Sequence, residues 1–343
     1  MSAVARPTTV AGPFFEDLDV GQRVADAPSL TLTEGLAATH RAILGGRLRL
    51  ALDAELCAAV TGETRLLADP QLVCDVAIGQ STLLTQRVIA NLFYRGLSFR
   101  RLPRIGDTLH TSTEVVALRQ TSAKPDRVAT GLAALRIRTV DQEGRPVLDF
   151  HRCAMLPLRD PHGETGRADA LAAVGGGDDA APPTVAIAGW DLAALRAVVS
   201  GPHAAELADG MRWAVTAGDV VTSAPELARL SLNVAAAHHD AGANASGRRL
   251  VYGGHTIGIA AAQATRALPG LAAIVAWHGC DHLAPVFEGD TLTSEIELER
   301  IDPVPDGDGA LLHLRSRVRA RRASDDDGAD VDVLDWRYAA VAA

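Results

Sequence analysis

GDTLHTSTEVVALR, Gly106–Arg119, recurs 183 positions later as GDTLTSEIELERI, Gly289–Ile301. A second match keeps the same order: VLDFHRCAM from Val147 returns as VLDWRYAAV from Val333, 186 positions on. Two matches in register read as an internal duplication with small length changes between the copies. The chain of 343 residues is long enough for two cores. The expected division is a first unit over 1–158, a linker over 159–189 and a second unit over 190–343. Within the linker, RDPHGETGRADALAAVGGGDDAAPPT (Arg159–Thr184) has the Gly, Asp and Pro content of a solvated connection rather than a packed element.

Apolar residues make up 48% of the chain but aromatics only 4%, so Ala, Val and Leu must fill the cores. The net charge of -9 argues against a nucleic-acid or anionic-membrane partner, both of which reward excess Lys and Arg. Cys57, Cys74, Cys153 and Cys280 are scattered, without C-x-x-C pairs, which suits a reducing cytoplasm. The start MSAVARPTTVAGPFFEDL lacks the apolar core of a signal peptide. The longest apolar stretch, Thr256–Trp277, is interrupted by Gln263, Arg266 and Pro269, so no membrane span is expected.

In the second copy, apolar spacing predicts helices over about Pro225–Ala237 and Gly254–Leu268, the latter stopped by Pro269. Strands AAIVAW, DTLTSEIELER, ALLHLRSRVRARR and DVLDWRYAAVA follow, parted by turn signals at Glu288-Gly289-Asp290 and Asp325-Asp326-Asp327-Gly328. Short connections imply an antiparallel sheet, whose apolar face needs a helix to cover it. GGHTIGIAAAQATRAL, rich in Gly and Ala, lets a sheet curl closely around it. In the first copy the corresponding central helix is expected in QSTLLTQRVIAN, Gln80–Asn91.

Helix, wrapped sheet and GDTL strand together resemble the hot-dog fold, in its MaoC-like hydratase and dehydratase branch. The expected fold class is α+β, a double hot-dog with two antiparallel sheets each wrapped around a central helix. FFEDLDVGQRV, GGRLRL, DPQLVCDVAIGQSTLLTQRVIANLFYRGLSF, GRRLVYGGHTIG and VLDWRY are similar to the tandem subgroup typified by mesaconyl-CoA hydratase, also called β-methylmalyl-CoA dehydratase. The resemblance implies reversible hydration of an enoyl-CoA, or dehydration of a 3-hydroxyacyl-CoA, with a branched dicarboxylic acyl group as the narrower expectation. Coenzyme A enters as part of the substrate, with no further cofactor and no metal. A tandem chain supplies internally the pairing that single-copy relatives make between subunits, and such pseudo-dimers can form a homo-oligomer.

The family carries Asp-x4-His before its central helix. The first copy has Gly46 and Ala51 there, with Asp53 as the trailing acid, so no acid or base survives. The second copy has Asn233 and His238, trailed by Asp240. By this resemblance His238 is the acid and base, and Asn233 orients water through one donor and one acceptor contact. Backbone N–H groups near Gly253 and Gly254, at the helix start, would hold the enolate-like thioester oxygen, and Gly254 is counted with the catalytic pair. Asp240, Arg248, Arg249, Tyr252, Gly253 and His255 complete the expected substrate contacts. Arg248 and Arg249 suit phosphates, Arg95 and Arg249 an acyl carboxylate.

Arg315, Arg317, Arg319 and Arg321 alternate along one strand, so they read as its water-facing side and as a weaker second set for phosphates. His239 lies one position off the family spacing and reads as a solvent-facing neighbour. His278, Cys280, Asp281 and His282, with His238 or His239, form no recognised zinc spacing, although period two would put His278, Cys280 and His282 on one face. Two competing readings stand beside hydration. A thioesterase needs a carboxylate in the pocket, for which Asp240 is available only if it faces inward. A non-catalytic acyl-CoA-binding protein is compatible with the lost first-half pair and the Asp-to-Asn change.

Overall fold

The repeated Gly-Asp opens a strand in both halves for one physical reason. Gly106 and Gly289 hold φ of 97° and 90°, a region glycine enters without strain. Asp107 Oδ2 then accepts the Arg104 N–H at 2.9 Å, and Asp290 Oδ2 accepts the Phe287 N–H at 3.0 Å, so each carboxylate closes the turn before it. Both aspartates are buried, and each is met by arginine: Arg65 and Arg101 on Asp107, Arg322 on Asp290.

A computed structural model describes residues 10–125, 127–176, 183–244, 246–304, 309–323 and 330–343; the turn signal at Asp325–Gly328 lies outside them. The first half runs β1 (Arg23–Val24), β2 (Leu30–Thr31), α1 (Glu34–Leu44), α2 (Ala54–Thr61), α3 (Pro70–Gln80), β3 (Ala90–Phe99), β4 (Thr108–Gln120), β5 (Thr130–Val140) and β6 (Pro146–Pro157). The second runs α4 (Leu192–Val198), β7 (Arg212–Val220), α5 (Ala224–Leu230), α6 (Gly253–Ala267), β8 (Leu271–His282), β9 (Thr291–Pro303), β10 (Ala310–Arg321) and β11 (Val331–Ala342).

The strands pair antiparallel in the order β1-β4-β5-β6-β3-β8-β11-β10-β9-β7, with β2 beside β4. The two expected sheets therefore meet edge to edge as one sheet of 11 strands. Their seam is β3 against β8, with Tyr94 opposite Cys280 and Leu97 opposite Trp277. The first half wraps α3 with β4 and β5, the second wraps α6 with β9, β10 and β11, and the two helices touch each other. Every residue of α3 is buried, as are Gly254–Ala264 of α6. A helix covered on all sides has to be apolar all round or satisfy its polar groups internally. Gln80 does the latter, donating to the carbonyls of Pro28 and Leu109 and accepting from Thr111.

Three expectations need correction and one, the linker, is sharpened. The first central helix is Pro70–Gln80 rather than Gln80–Asn91: Asp69 caps it by accepting the Gln71 N–H, Pro70 suits its first turn, and the chain beyond Thr85 passes into β3. The helix placed over Pro225–Ala237 stops at Leu230, because Leu232 turns to a φ of 61°. The inferred linker is mostly exposed over its described length, but hydrogen bonds tie it to the first half. Arg167 donates to the carbonyls of Phe15 and Leu18, Asp169 accepts the Leu118 N–H, and Ala168 bridges to Arg119. Finally, β8 extends beyond Trp277 to His282, where its pairing with β11 shifts register between Arg337 and Tyr338. That bulge sends His278 outward to stack on His313 at 5.1 Å, while Cys280 and His282 stay inward, so the three do not share a face.

Candidate active site

The second half builds its site where α5 breaks. After Leu232 the chain passes through Asn233 to a 3-10 turn over Ala236–His238. A leucine at positive φ is strained, and contacts from the other half hold it. Gly79 of α3 lies so close that a Cβ there would sit 1.7 Å from the Ser231 carbonyl oxygen. The Val234 N–H donates to Thr82 Oγ1 at 3.0 Å and the Ala236 N–H to the Gln86 carbonyl at 2.9 Å. The first half thus fixes the loop that carries Asn233 and His238.

His238 is 8% exposed and lines a cleft of about 380 Å³ between the halves. Its Nδ1 lies 2.9 Å from the Leu250 carbonyl, which can only accept, so Nδ1 carries the proton and Nε2 keeps its lone pair. Burial pushes this imidazole down to about 4 against the hydrogen bond to Leu250, with His239 and Arg152 lowering it further, so the ring is neutral at pH 7. Asn233, also buried, accepts the Ala235 N–H on Oδ1 at 2.9 Å, which orients its amide and leaves Nδ2 for the cleft. Asn233 thus has its Nδ2 donor free among the described residues, while Oδ1 already accepts one hydrogen bond. His239 is half-buried and donates from Nε2 to the Asn233 carbonyl at 2.6 Å, so it buttresses the turn instead of merely facing solvent.

α6 starts at the same cleft. Tyr252 and Gly253 line it, and among the described residues neither the Gly253 nor the Gly254 N–H has a protein acceptor. Unpaired N–H groups at a helix start form a site for developing negative charge. Gly254 itself does not line the cleft: a Cβ there would lie 2.1 Å from Asp75 Oδ1, so its missing side chain serves close packing against α3. Of the pair only Gly253 lines the wall, so the expected catalytic part of Gly254 rests on its unpaired N–H alone.

Several other expected contacts fall outside the cleft. Asp240 is exposed and caps a turn by accepting the Gly242 N–H at 2.8 Å. Arg249 is neutralised by an ion pair with Glu288. Arg248 lies 3.8 Å over the ring of Phe287, a lining residue, and so stands on the rim. His255 is fully buried away from the cleft, both ring nitrogens unpartnered, and burial pushes it to about 4. Arg95 donates to the carbonyls of Leu171, Ala172 and Val174. Arg315, Arg317, Arg319 and Arg321 each pair with a carboxylate on the outer face, which suits water and leaves no phosphate site. Among the described residues no three His, Cys, Asp or Glu side chains converge as metal ligands.

The cleft also recruits Thr82, Thr85, Tyr94, Arg152 and His282, none of which family spacing singled out as substrate contacts. Four come from the first half and reach the site only because β3 pairs with β8. One signal was legible: in VLDFHRCAM, Leu148, Phe150 and Arg152 alternate onto the inner face, and a charge there is out of place. His282 Nε2 is buried without a partner and lies 2.6 Å from where a Gly253 Cβ would be. No Asp or Glu lines the cleft among the described residues.

No protein-family model matches the chain. It is 30% identical over 313 residues to the β-methylmalyl-CoA dehydratase of Chloroflexus aurantiacus, covering 87% of this chain and 84% of that protein. It is 29% identical over 311 residues to the mesaconyl-CoA hydratase of Cereibacter sphaeroides, covering 88% of each. A solved structure of a conserved hypothetical protein from Mycobacterium tuberculosis, a double hot-dog fold, is 55% identical with a TM-score of 0.89 over 96% of this chain and 98% of that one. Kinship along nearly the whole length, on the fold that joins both halves around one cleft, leads to one conclusion: the chain belongs to the MaoC-like double hot-dog family of hydro-lyases, the hydratases and dehydratases.

Proposed function

We propose that this cleft catalyses reversible hydration of an enoyl-CoA thioester to the 3-hydroxyacyl-CoA. The carrying observation is a neutral imidazole, His238, whose Nδ1 is committed to Leu250 and whose Nε2 is left for the cleft beside the start of α6. In the hydration direction Nε2 takes a proton from water as the oxygen bonds to C3 and electrons move from the C2–C3 double bond to the thioester oxygen. The Gly253 N–H and the α6 dipole hold that oxygen, and Asn233 Nδ2 orients the reacting oxygen atom. The imidazolium returns its proton to C2, so water has added across the double bond and the enzyme is regenerated. The acyl-CoA itself supplies all the reacting groups except water, so the scheme needs no additional cofactor. The four cysteines are free and buried, in keeping with action in a reducing cytoplasm, and no helix among the described residues is long and apolar enough to cross a membrane.

The names of the relatives, with the sequence similarity, favour a branched dicarboxylic enoyl-CoA such as mesaconyl-CoA as substrate. The lack of an acidic lining residue among the described residues disfavours a thioesterase working through a carboxylate. The test is to follow loss of the conjugated enoyl-thioester absorbance with mesaconyl-CoA and crotonyl-CoA, in the wild type and in His238→Ala. Hydrated product that disappears in the variant is expected. Release of free thiol would establish hydrolysis instead, and full activity in His238→Ala would overturn the assignment of the base.

A further inference from the structure

Arg152 on β6 is 3% exposed and lines the cleft with His238 and Asn233, yet it has no carboxylate partner among the described residues. Neutral groups hold two of its three nitrogens. Nε donates to Ser81 Oγ at 3.0 Å, and Nη2 donates to the Ser81 carbonyl at 3.0 Å and to Thr85 Oγ1 at 2.8 Å. Nη1 has no protein partner among the described residues. A guanidinium stays charged in a protein, and burying it without a counter-charge is strongly unfavourable. In the repeat register the equivalent of Arg152 is Tyr338, a neutral side chain within hydrogen-bond distance of Ser316, so the second half avoids that cost. The two guanidinia expected from sequence to meet an acyl carboxylate are already occupied, Arg249 by Glu288 and Arg95 by main-chain carbonyls. The exposed lining residues Ile89, Ser246 and Leu283 mark the mouth, whereas Arg152 and Thr85 lie among the buried ones.

We infer that Arg152 is the specificity-determining residue of the cleft, held by Ser81 and Thr85 so that Nη1 receives a carboxylate on the acyl chain of the thioester. The substrate supplies the counter-charge that the fold omits. Its position among the buried lining residues separates this role from that of the rim, where Arg248 is placed for the phosphates of coenzyme A. The inference rests on the acyl-thioester reading of the cleft but not on turnover, so it is tested by binding of saturated thioesters, which cannot be hydrated or dehydrated.

Calorimetric affinities of the full chain are measured for succinyl-CoA, butyryl-CoA and free coenzyme A, in the wild type and in Arg152→Gln, whose amide can still bond Ser81 and Thr85. The wild type is expected to prefer succinyl-CoA over butyryl-CoA by at least about tenfold, as a charge-assisted pair warrants, and Arg152→Gln to abolish that preference. A wild type without the preference overturns the inference however the variant folds. An Arg152→Gln protein that keeps the preference, or that loses affinity equally for all three ligands, also overturns it: the first assigns Arg152 to structure, the second to coenzyme A phosphates. Failure of the hydration assay with intact succinyl-CoA preference would remove the proposed reaction and leave the carboxylate site standing.

Discussion

The two halves place the same elements around two pseudo-equivalent sites, and only one is open. The second-half site is a cleft of about 380 Å³; its first-half counterpart, bounded by His40, Leu44, Gly46, Asp69, Pro70 and Trp277 among others, has shrunk to about 30 Å³. The backbone is alike: Ala51 ends a 3-10 turn over Arg49–Ala51 as His238 ends one over Ala236–His238, and Asp53 caps α2 as Asp240 caps the turn over Ala241–Ala243. The side chains differ where chemistry would occur. Pro70 opens α3 where Gly253 opens α6, and proline fits a first helical turn while offering no N–H. Polar groups in the closed site are spent on one another, His40 Nε2 lying 2.9 Å from Asp75 Oδ2 and Gln71 donating to Asp75 at 3.1 Å. In the open site His282 Nε2 is buried without a partner among the described residues. One copy pairs its polar groups internally, and the other leaves helix-start N–H groups without protein partners beside a larger space.

The comparison breaks most visibly at His238. His238→Ala, the first-half residue transplanted, is expected to lower the hydration rate by about 10³-fold, within the usual range for removing an acid–base group; a loss below tenfold would mean that the open site works without it. Next comes the helix start. Gly253→Pro imitates Pro70, and in a His282→Ala background, which makes room for the ring, it is expected to cost about 10²-fold in kcat relative to His282→Ala alone. An unchanged kcat would show that the Gly253 N–H does not hold the thioester oxygen.

Acid titration gives a smaller effect. Burial pushes His238, His255 and His282 from 6.5 to about 4, so the unfolded chain binds protons that the folded chain refuses. Their contribution to stability is intact above pH 6.5 and is lost as pH falls towards 4. His255→Leu should reduce proton uptake on unfolding near pH 5 by about one, read from the pH dependence of unfolding free energy; an unchanged slope would show that His255 titrates normally in the fold. The smallest expectation is no effect: Gly46→Asn with Ala51→His, tested in a His238→Ala background, should restore no hydration. A Cβ on Gly46 meets Asp69 Oδ2 at 3.1 Å, and Pro70 has no hydrogen to donate. Recovered turnover would mean that closure of the first site is not what silenced it.

The duplication, the GDTL strands, the second central helix and the Asn233/His238 spacing were legible in the chain because each is local: a repeat register, a period, a turn glycine, a fixed interval. The first central helix was misplaced because Asp69-Pro70 is its true start and the polar run after Gln80 imitates a helix while leading into a strand. Composition matched the exposure of the linker but gave no sign of its hydrogen bonds to Phe15, Leu18 and Leu118, residues remote in sequence.

By itself the sequence determined that there are two related modules and that only the second has a histidine at the family position, His238 against Ala51. Only the tertiary structure decided which neighbours that side chain has. It removed Asp240, Arg249 and His255 from the wall, put Gly253 there ahead of Gly254, and brought in Thr82, Tyr94 and Arg152 from more than 80 positions away in the chain. The physical reason is the seam. Pairing β3 with β8 joins the two modules edge to edge, and the cleft between them takes 10 of its 26 lining residues from the first half, whose spacing to His238 carries no local signal.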